Sequence, residues 1–380
     1  MSDEVYLDWN ATTPPHPEVL SAIQQAAATA WANPSSIHGA GRRARALVEQ
    51  AREELAALLT VHPRDVIFTG GGTEANNLAL RAAPTLITSR LEHPSVTRVA
   101  EALENEGKPV IWLRPASSGE IYADTLERAL TELATGPDAP PPITAIAAVN
   151  HETGVLQPLD LLADVVHSHR GWLHSDIVQG FGKLPQELWA KADSVAIAGH
   201  KLRGPRGIGA LAWRRPWLPN TGPGPVMLGG AQERGLRPGT QDTLAIAGFQ
   251  AAFRRVSSGP ERYAPLAVLR DDLELGLKKL GATVNGADAA RAPHVSNVAL
   301  RGWKGDELVA ALDLRHIRVS SGSACSAGTT EPSPVSTAMG GAHGASQAIR
   351  ISLGETTTPS EIAALLNAIE QLSHAANQYA

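Results

Sequence analysis

Short apolar runs alternate with longer stretches of helical periodicity through the first two thirds of the chain. The runs fall at residues 66–68, 86–88, 110–113, 143–149, 172–174, 195–198 and 208–213, and each has the length of a buried strand. Apolar positions recur at helical spacing over 17–31 and 39–59, and again from starts near Thr73, His93, Tyr122 and Leu159. Strands alternating with helices predict βαβ units and an α/β fold, with a mainly parallel sheet covered on both faces. Catalytic groups on such sheets gather outside the strand ends.

The pattern changes after residues 257–260, Ser-Ser-Gly-Pro. A long amphipathic helix is expected over 263–280, then strands, then a C-terminal helix from Pro359. That boundary separates a large domain, 15–257, from a smaller α+β one, 258–380. The proline-rich stretch 135–142 cannot continue a helix or a central strand and reads as a surface connector. No repeat or low-complexity tract interrupts the chain.

Composition changes this picture little. The 380 residues exceed what one hydrophobic core usually serves, which fits two domains. A hydrophobic share of 43% and a charged share of 19% describe an ordinary soluble protein. The net charge of -5, with no basic run, argues against a nucleic-acid partner held by phosphate contacts. No apolar window is long enough to cross a bilayer and no export signal is evident, so the expected setting is the cytoplasm, away from membranes. A single cysteine, Cys325, excludes an intramolecular disulfide.

Candidate chemistry centres on residues 193–211. An apolar run ends there in Ala198-Gly199-His200-Lys201, and a second run resumes after a Gly/Pro-punctuated turn. A lysine at the end of a buried strand can lose hydration, which lowers its pKa and makes its amine a nucleophile toward carbonyls. A solvated turn lysine is the plain alternative. About 25 residues upstream, His174-Ser175-Asp176-Ile177-Val178-Gln179 ends another strand with a carboxylate and an amide. A strand-end Asp and a strand-end Lys match the needs of pyridoxal phosphate: the Asp keeps the pyridine nitrogen protonated and the Lys condenses with the aldehyde.

At these residues the chain resembles the cysteine desulfurases, in the class V aminotransferase branch of the fold-type I pyridoxal-phosphate enzymes. The resemblance runs from Tyr6-Leu7-Asp8-Trp9-Asn10-Ala11-Thr12-Thr13-Pro14 to Ile349-Arg350-Ile351-Ser352-Leu353-Gly354. It implies a seven-stranded-type sheet in the large domain, a small domain that also takes up residues 1–14, and a homodimer with a shared active site. The implied reaction takes L-cysteine to L-alanine and leaves the sulfur as a persulfide on Cys325. That sulfur then passes to an acceptor protein, serving iron–sulfur cluster assembly or tRNA thiolation. A selenocysteine lyase, another carbon–sulfur lyase and a non-catalytic scaffold on the same fold are the alternatives.

Further motifs carry the site. Thr69-Gly70-Gly71-Gly72-Thr73-Glu74 joins a strand to a helix, and its glycines let backbone amides approach an anion, which points to phosphate cradling by Gly72 and Thr73. His93 opens a helix after a strand. By resemblance it stacks on the cofactor ring and moves protons, and His200 counts with the cofactor residues. Gln179 and His151 reach the cofactor's phenolic oxygen, and His151 also touches substrate. At the His151 position the family often has Asn. It commonly has Ser where this chain has Ala198, which leaves the phosphate cup one hydroxyl short. The glycine-rich stretch 229–240 reads as a polar loop outside the core, and by resemblance its Thr240 reaches the phosphate of the neighbouring subunit.

Cys325 lies among small polar residues, Ser320-Ser321-Gly322-Ser323-Ala324-Cys325-Ser326-Ala327-Gly328, so no apolar pattern would bury it. It reads as an exposed thiol whose thiolate attacks sulfur. Pro334 and a shortened stretch at 340–346 depart from the family's usual continuation. Arg350 sits on an apolar strand, where a buried guanidinium needs an anion. By resemblance that anion is the substrate carboxylate; an internal salt bridge is the alternative. No metal is implied.

Overall fold

The computed structural model describes residues 4–133, 140–217, 222–322, 333–340 and 347–378, with side chains to residue 374. The chain enters through β1 (Val5–Tyr6), α1 (Pro17–Thr29) and α2 (Gly39–Leu59). It then builds β2 (Val66–Thr69), α3 (Gly72–Leu80), β3 (Leu86–Ser89), α4 (Pro94–Asn105), β4 (Val110–Leu113), α5 (Ala123–Leu133), β5 (Ile143–Ala145) and α6 (Leu159–Ser168). β6 (Trp172–Asp176), β7 (Ser194–Ala198), β8 (Gly209–Trp213) and α7 (Thr243–Phe253) follow. Among the described residues, β2 to β8 form one sheet in the order β2-β8-β7-β6-β5-β3-β4. β8 runs antiparallel to both neighbours, and the remaining pairs are parallel.

Apolar runs are continuous because helices cover both faces. Val195 and Ile197 pack into one core cluster with Leu55, Phe249 and Phe253, while Ala196, between them, belongs to a second with Leu78, Val99 and Leu211. The run at 143–149 is strand only over its first three residues. It keeps bonding to β6 beyond them, Ile146 N to His174 O at 3.1 Å and Ala148 N to Asp176 O at 3.0 Å. The helix α7, buried along most of its length, carries too even an apolar surface to show periodicity.

The remaining elements are α8 (Gly259–Tyr263), α9 (Leu266–Lys279), β9 (Ala282–Val284), β10 (Val295–Leu300), α10 (Gly305–Asp313), β11 (Ile317–Arg318), α11 (Pro334–Ala338), β12 (Ala348–Ser352) and α12 (Pro359–Gln378). The helix expected over 263–280 is α9, which begins three residues later than expected. Pro265 lacks the N–H that would continue α8 and instead stands as the residue capping α9. Strands β12, β10 and β9 form an antiparallel sheet, and β1 pairs in parallel with β11. Leu7 joins the core of this region beside Leu273, Leu312 and Ile351. On this separate core we propose 1–14 with 258–380 as one lobe and 15–257 as the other. No described helix is long and apolar enough to cross a membrane.

One part of the stretch 229–240 is not the loop outside the core that its composition suggests. Glu233 is buried and grips Arg52 with both oxygens at 2.7 Å. The pair also caps the sheet's edge strand: Glu233 accepts from Phe68 N at 3.0 Å and Arg52 donates to Val66 O at 2.9 Å. Glu233 and Arg234 both have left-handed backbone, φ 46 and 58, a cost the buried pair offsets. Changing Glu233 to Ala leaves the buried Arg52 with only the half-exposed Glu49 as counter-ion, at 3.2 Å. A stability loss of about 3–5 kcal/mol is expected in urea denaturation; a loss below about 1 kcal/mol, the scale of an exposed pair, would contradict this role.

Candidate active site

The C-terminal ends of β5, β6 and β7 meet the turns after β2 and β3 around a cavity of about 180 Å³. Gly72 and Thr73 line it from the start of α3, and His93 from the turn after β3. His151, Asp176, Gln179, His200 and Lys201 line it from the turns after β5, β6 and β7, and Arg350 reaches it from β12. Nine residues singled out in the sequence therefore share one cavity. Thr240 is exposed and outside it. Cys325, with its neighbours 323–332, lies outside the described residues, as does the shortened stretch at 341–346.

The turn after β2 suits an anion. Gly71 stands at φ 148, which hands the chain directly into α3, and no side chain caps the helix, so its first amides are open to a ligand. A Cβ on Gly72 would lie 2.8 Å from Val178 Cγ2, so only glycine fits between the helix start and the turn after β6. Ala198, 3% exposed, faces the same turn.

Asp176 accepts from Val178 N at 2.9 Å and from Asn76 Nδ2 at 2.7 Å, which fixes both carboxylate oxygens. The Lys201 amine donates to the carbonyls of Asn10 and Ala11, the latter at 2.8 Å. Asn10 ties three site residues together: its carbonyl also accepts from Gln179 Nε2 at 3.0 Å, and its Nδ2 donates to His151 O at 3.2 Å. Arg350 is 2% exposed and holds Asp8 at 2.8 Å and His151 O at 3.2 Å. The internal salt bridge is thus present, yet Arg350 Nε and Asn10 Oδ1 are buried with no protein partner. Pro334 sits at the first turn of α11, a position that tolerates proline, and Ser333 ahead of it caps that helix.

Electrostatics around the cavity are cationic. Burial pushes His200 down to about 3, helped by Lys201 and Lys183. Burial, followed by the charges of His93, Arg350 and Lys201, holds His151 well below its ordinary value. Burial and Lys201 bring the fully buried Lys183 down to about 7. Glu92, buried beside Asp176, rises to about 8. Such neutral imidazoles among fixed cations favour a ligand that brings negative charge. An open helix start for a phosphate, an amine, a carboxylate deep in the cavity and two orphaned buried polar atoms fit pyridoxal phosphate.

The sequence reading missed Asn10, Asn76, Lys183 and Glu233. Asn10 lies inside a motif quoted for other residues and Asn76 two residues beyond one, and an uncharged amide gives no signal of its own. Lys183, four residues after Gln179, donates to Gln179 Oε1 at 3.0 Å, a helical-turn spacing visible only once the strand end is placed.

The Aminotransferase class-V family model matches residues 5–365. An IscS-like cysteine desulfurase of Mycobacterium tuberculosis is 37% identical over 382 residues, covering 96% of this chain and 95% of that protein. A solved NifS-like protein superposes with a TM-score of 0.86 at 31% identity, over 97% of this chain and 99% of the other. A solved structure described as SspA in complex with cysteine gives 0.77 at 31% identity, over 93% and 99%.

Changing Ala198 to Ser would return a hydroxyl to the wall facing Gly72. One added hydrogen bond of about 1 kcal/mol should tighten pyridoxal-phosphate binding about fivefold, read as the dissociation constant in an absorbance titration. An unchanged constant would mean that the cup lacks nothing at this position.

Proposed function

We propose that this chain, which belongs to the class-V aminotransferase family and within it to the cysteine desulfurases, takes the sulfur from L-cysteine and holds it as a persulfide on Cys325 for an acceptor protein. One observation carries the reading: an amine, a carboxylate and a partly unsatisfied guanidinium converge in one cavity, and the described residues on either side of the Cys325 segment, Gly322 and Ser333, both lie against Glu152, next to His151 of the cavity wall. Ser333, after the segment, donates to Glu152 Oε2 at 2.5 Å. Gly322, before it, lies against the same carboxylate, 3.6 Å from where its Cβ would stand. Glu152 adjoins His151 of the cavity wall, and three residues of chain span at most about 11 Å.

Pyridoxal phosphate, when bound, supplies a carbonyl that condenses with amines and a protonated ring that draws electrons from the bonds to the substrate's Cα. Gly72, Thr73 and His200 would hold its phosphate, Asp176 would keep its ring nitrogen protonated, and Gln179 and His151 would hydrogen-bond its phenolic oxygen. Arg350 offers its unpartnered Nε to the substrate carboxylate. The Lys201 amine, resting on the carbonyls of Asn10 and Ala11, moves the Cα proton. The Cys325 thiolate then attacks the substrate sulfur: an S–S bond forms as the C–S bond breaks. The electron pair goes to carbon, where a proton completes alanine. Thr240 serves a neighbouring copy of the chain; its exposure outside its own cavity, on a turn anchored by Arg52 and Glu233, supports a shared site.

Two variants test these roles. Changing Cys325 to Ser should keep the cofactor's visible absorbance and its response to L-cysteine, yet lose the persulfide and slow alanine release by at least about a hundredfold. Lys201→Ala should lose the native absorbance. Alanine formed at the wild-type rate without Cys325 would contradict the assignment.

A further inference from the structure

Asn76 has no exposed surface and lies in the second turn of α3. Its amide is saturated. Nδ2 donates to Asp176 Oδ2 at 2.7 Å and to Ser95 Oγ at 2.8 Å, and Oδ1 lies 3.0 Å from His174 Nε2. His174 Nδ1 is 2.9 Å from Ser194 Oγ, which is also 3.0 Å from Trp172 Nε1. Trp172, Ser194, His174 and Asn76 are all fully buried.

Chemistry at the two ends fixes the direction of every bond. A carboxylate only accepts, so Asn76 turns Nδ2 to Asp176 and Oδ1 to His174 Nε2, which must donate; Ser194 Oγ, accepting from the donor-only indole of Trp172, gives its own proton to the remaining ring nitrogen, His174 Nδ1. That nitrogen is therefore an acceptor, and the proton of a neutral His174 sits on Nε2. Burial pushes this imidazole down to about 3 and so keeps it neutral. Nε2 donates to Asn76 Oδ1, which turns the amide nitrogen toward Asp176. A flipped amide would set oxygen against the carboxylate and leave two N–H groups facing each other at His174.

A branch runs to His93. The backbone N–H of Ser95 donates to His93 Nδ1 at 3.1 Å, so that nitrogen accepts. The Ser95 hydroxyl donates to it as well, at 2.8 Å, while accepting from Asn76. The proton of neutral His93 is thereby assigned to Nε2.

We propose that Asn76, locked by His174, is a positioning residue that fixes the orientation of the Asp176 carboxylate and the tautomer of His93. The inference rests on the reading of the cavity as the pyridoxal-phosphate site. Asn76 touches no reacting atom in it; it acts through two residues that do. Because each member's donors and acceptors are used up by the next, the chain of groups has one low-energy arrangement.

The test measures the pyridoxal-phosphate dissociation constant by absorbance titration, with the visible circular dichroism of the bound cofactor as a signature of ring orientation. Asn76→Leu and His174→Leu should each weaken binding about tenfold and reduce the dichroic band. The double variant should bind no more weakly than the worse single one, since both act through one amide. His174→Gln, which keeps an N–H at the position of Nε2, should bind within about twofold of wild type. Unchanged constants in both leucine variants, or losses that multiply in the double variant, would overturn the proposal. Wild-type protein that binds no pyridoxal phosphate would overturn the underlying reading along with it. Nitrogen-15 spectra of wild-type holoenzyme give an answer independent of folding defects: His93 and His174 should both show the Nε2–H form, and an Nδ1–H form at either contradicts the assignment.

Discussion

The site depends on residues 8–13, which bond both to β12 of the three-stranded sheet and to the turn after β7 of the seven-stranded one. Asp8 bridges to Ser352 on β12 and holds Arg350, Asn10 N donates to Ser352 Oγ at 2.9 Å, and the carbonyls of Asn10 and Ala11 receive the Lys201 amine. Thr13 Oγ1 donates to the carbonyl of His200 at 2.7 Å, next to that lysine. One segment, folded into a turn at 9–11, therefore bonds to both the amine beside the large sheet and the guanidinium on the smaller one. Trp9 fixes its depth: its indole lies against Gly354, where any Cβ would overlap the ring. A substrate that must present its Cα to an amine and its carboxylate to an arginine is measured by this segment, not by either lobe alone.

The cavity also explains its own charge. Lys201, Arg350 and Lys183 stand around three imidazoles whose pKa values are lowered, with Asp176, Asp8 and Glu355 as the acidic groups that face them. A phosphate, a phenolic oxygen and a substrate carboxylate are the anions that complete such a site. Its polar groups are held before any ligand arrives, Asp176 by two donors and His93 as the cap of α4, so little ordering remains to be done on binding.

Much of the fold was legible because periodicity reports burial directly. The strand ends at Asp176 and Lys201 and the glycine turn at 70–72 all follow from where apolar runs stop. What escaped notice has physical causes. Helix α7 is buried on nearly every side and shows no amphipathic stripe. Glu233 sits in a glycine-rich polar stretch, yet its partner Arg52 is 181 residues away, and no local pattern encodes that pairing. Asp176, Lys201, Arg350 and the imidazoles sit in motifs; Lys183, which acts through Gln179, and Asn10 and Asn76, which act through amide geometry, became visible only once the strand ends were placed together.

The central claim is that Lys201, Arg350 and Cys325 act on one molecule of L-cysteine. It is tested most directly by a single turnover: holoenzyme mixed with L-cysteine without reductant or acceptor, with alanine counted and the Cys325 peptide weighed. The account predicts one alanine per active site, then arrest, with one extra sulfur atom on Cys325. Alanine without added sulfur on that peptide, or an extra sulfur without alanine, would contradict it.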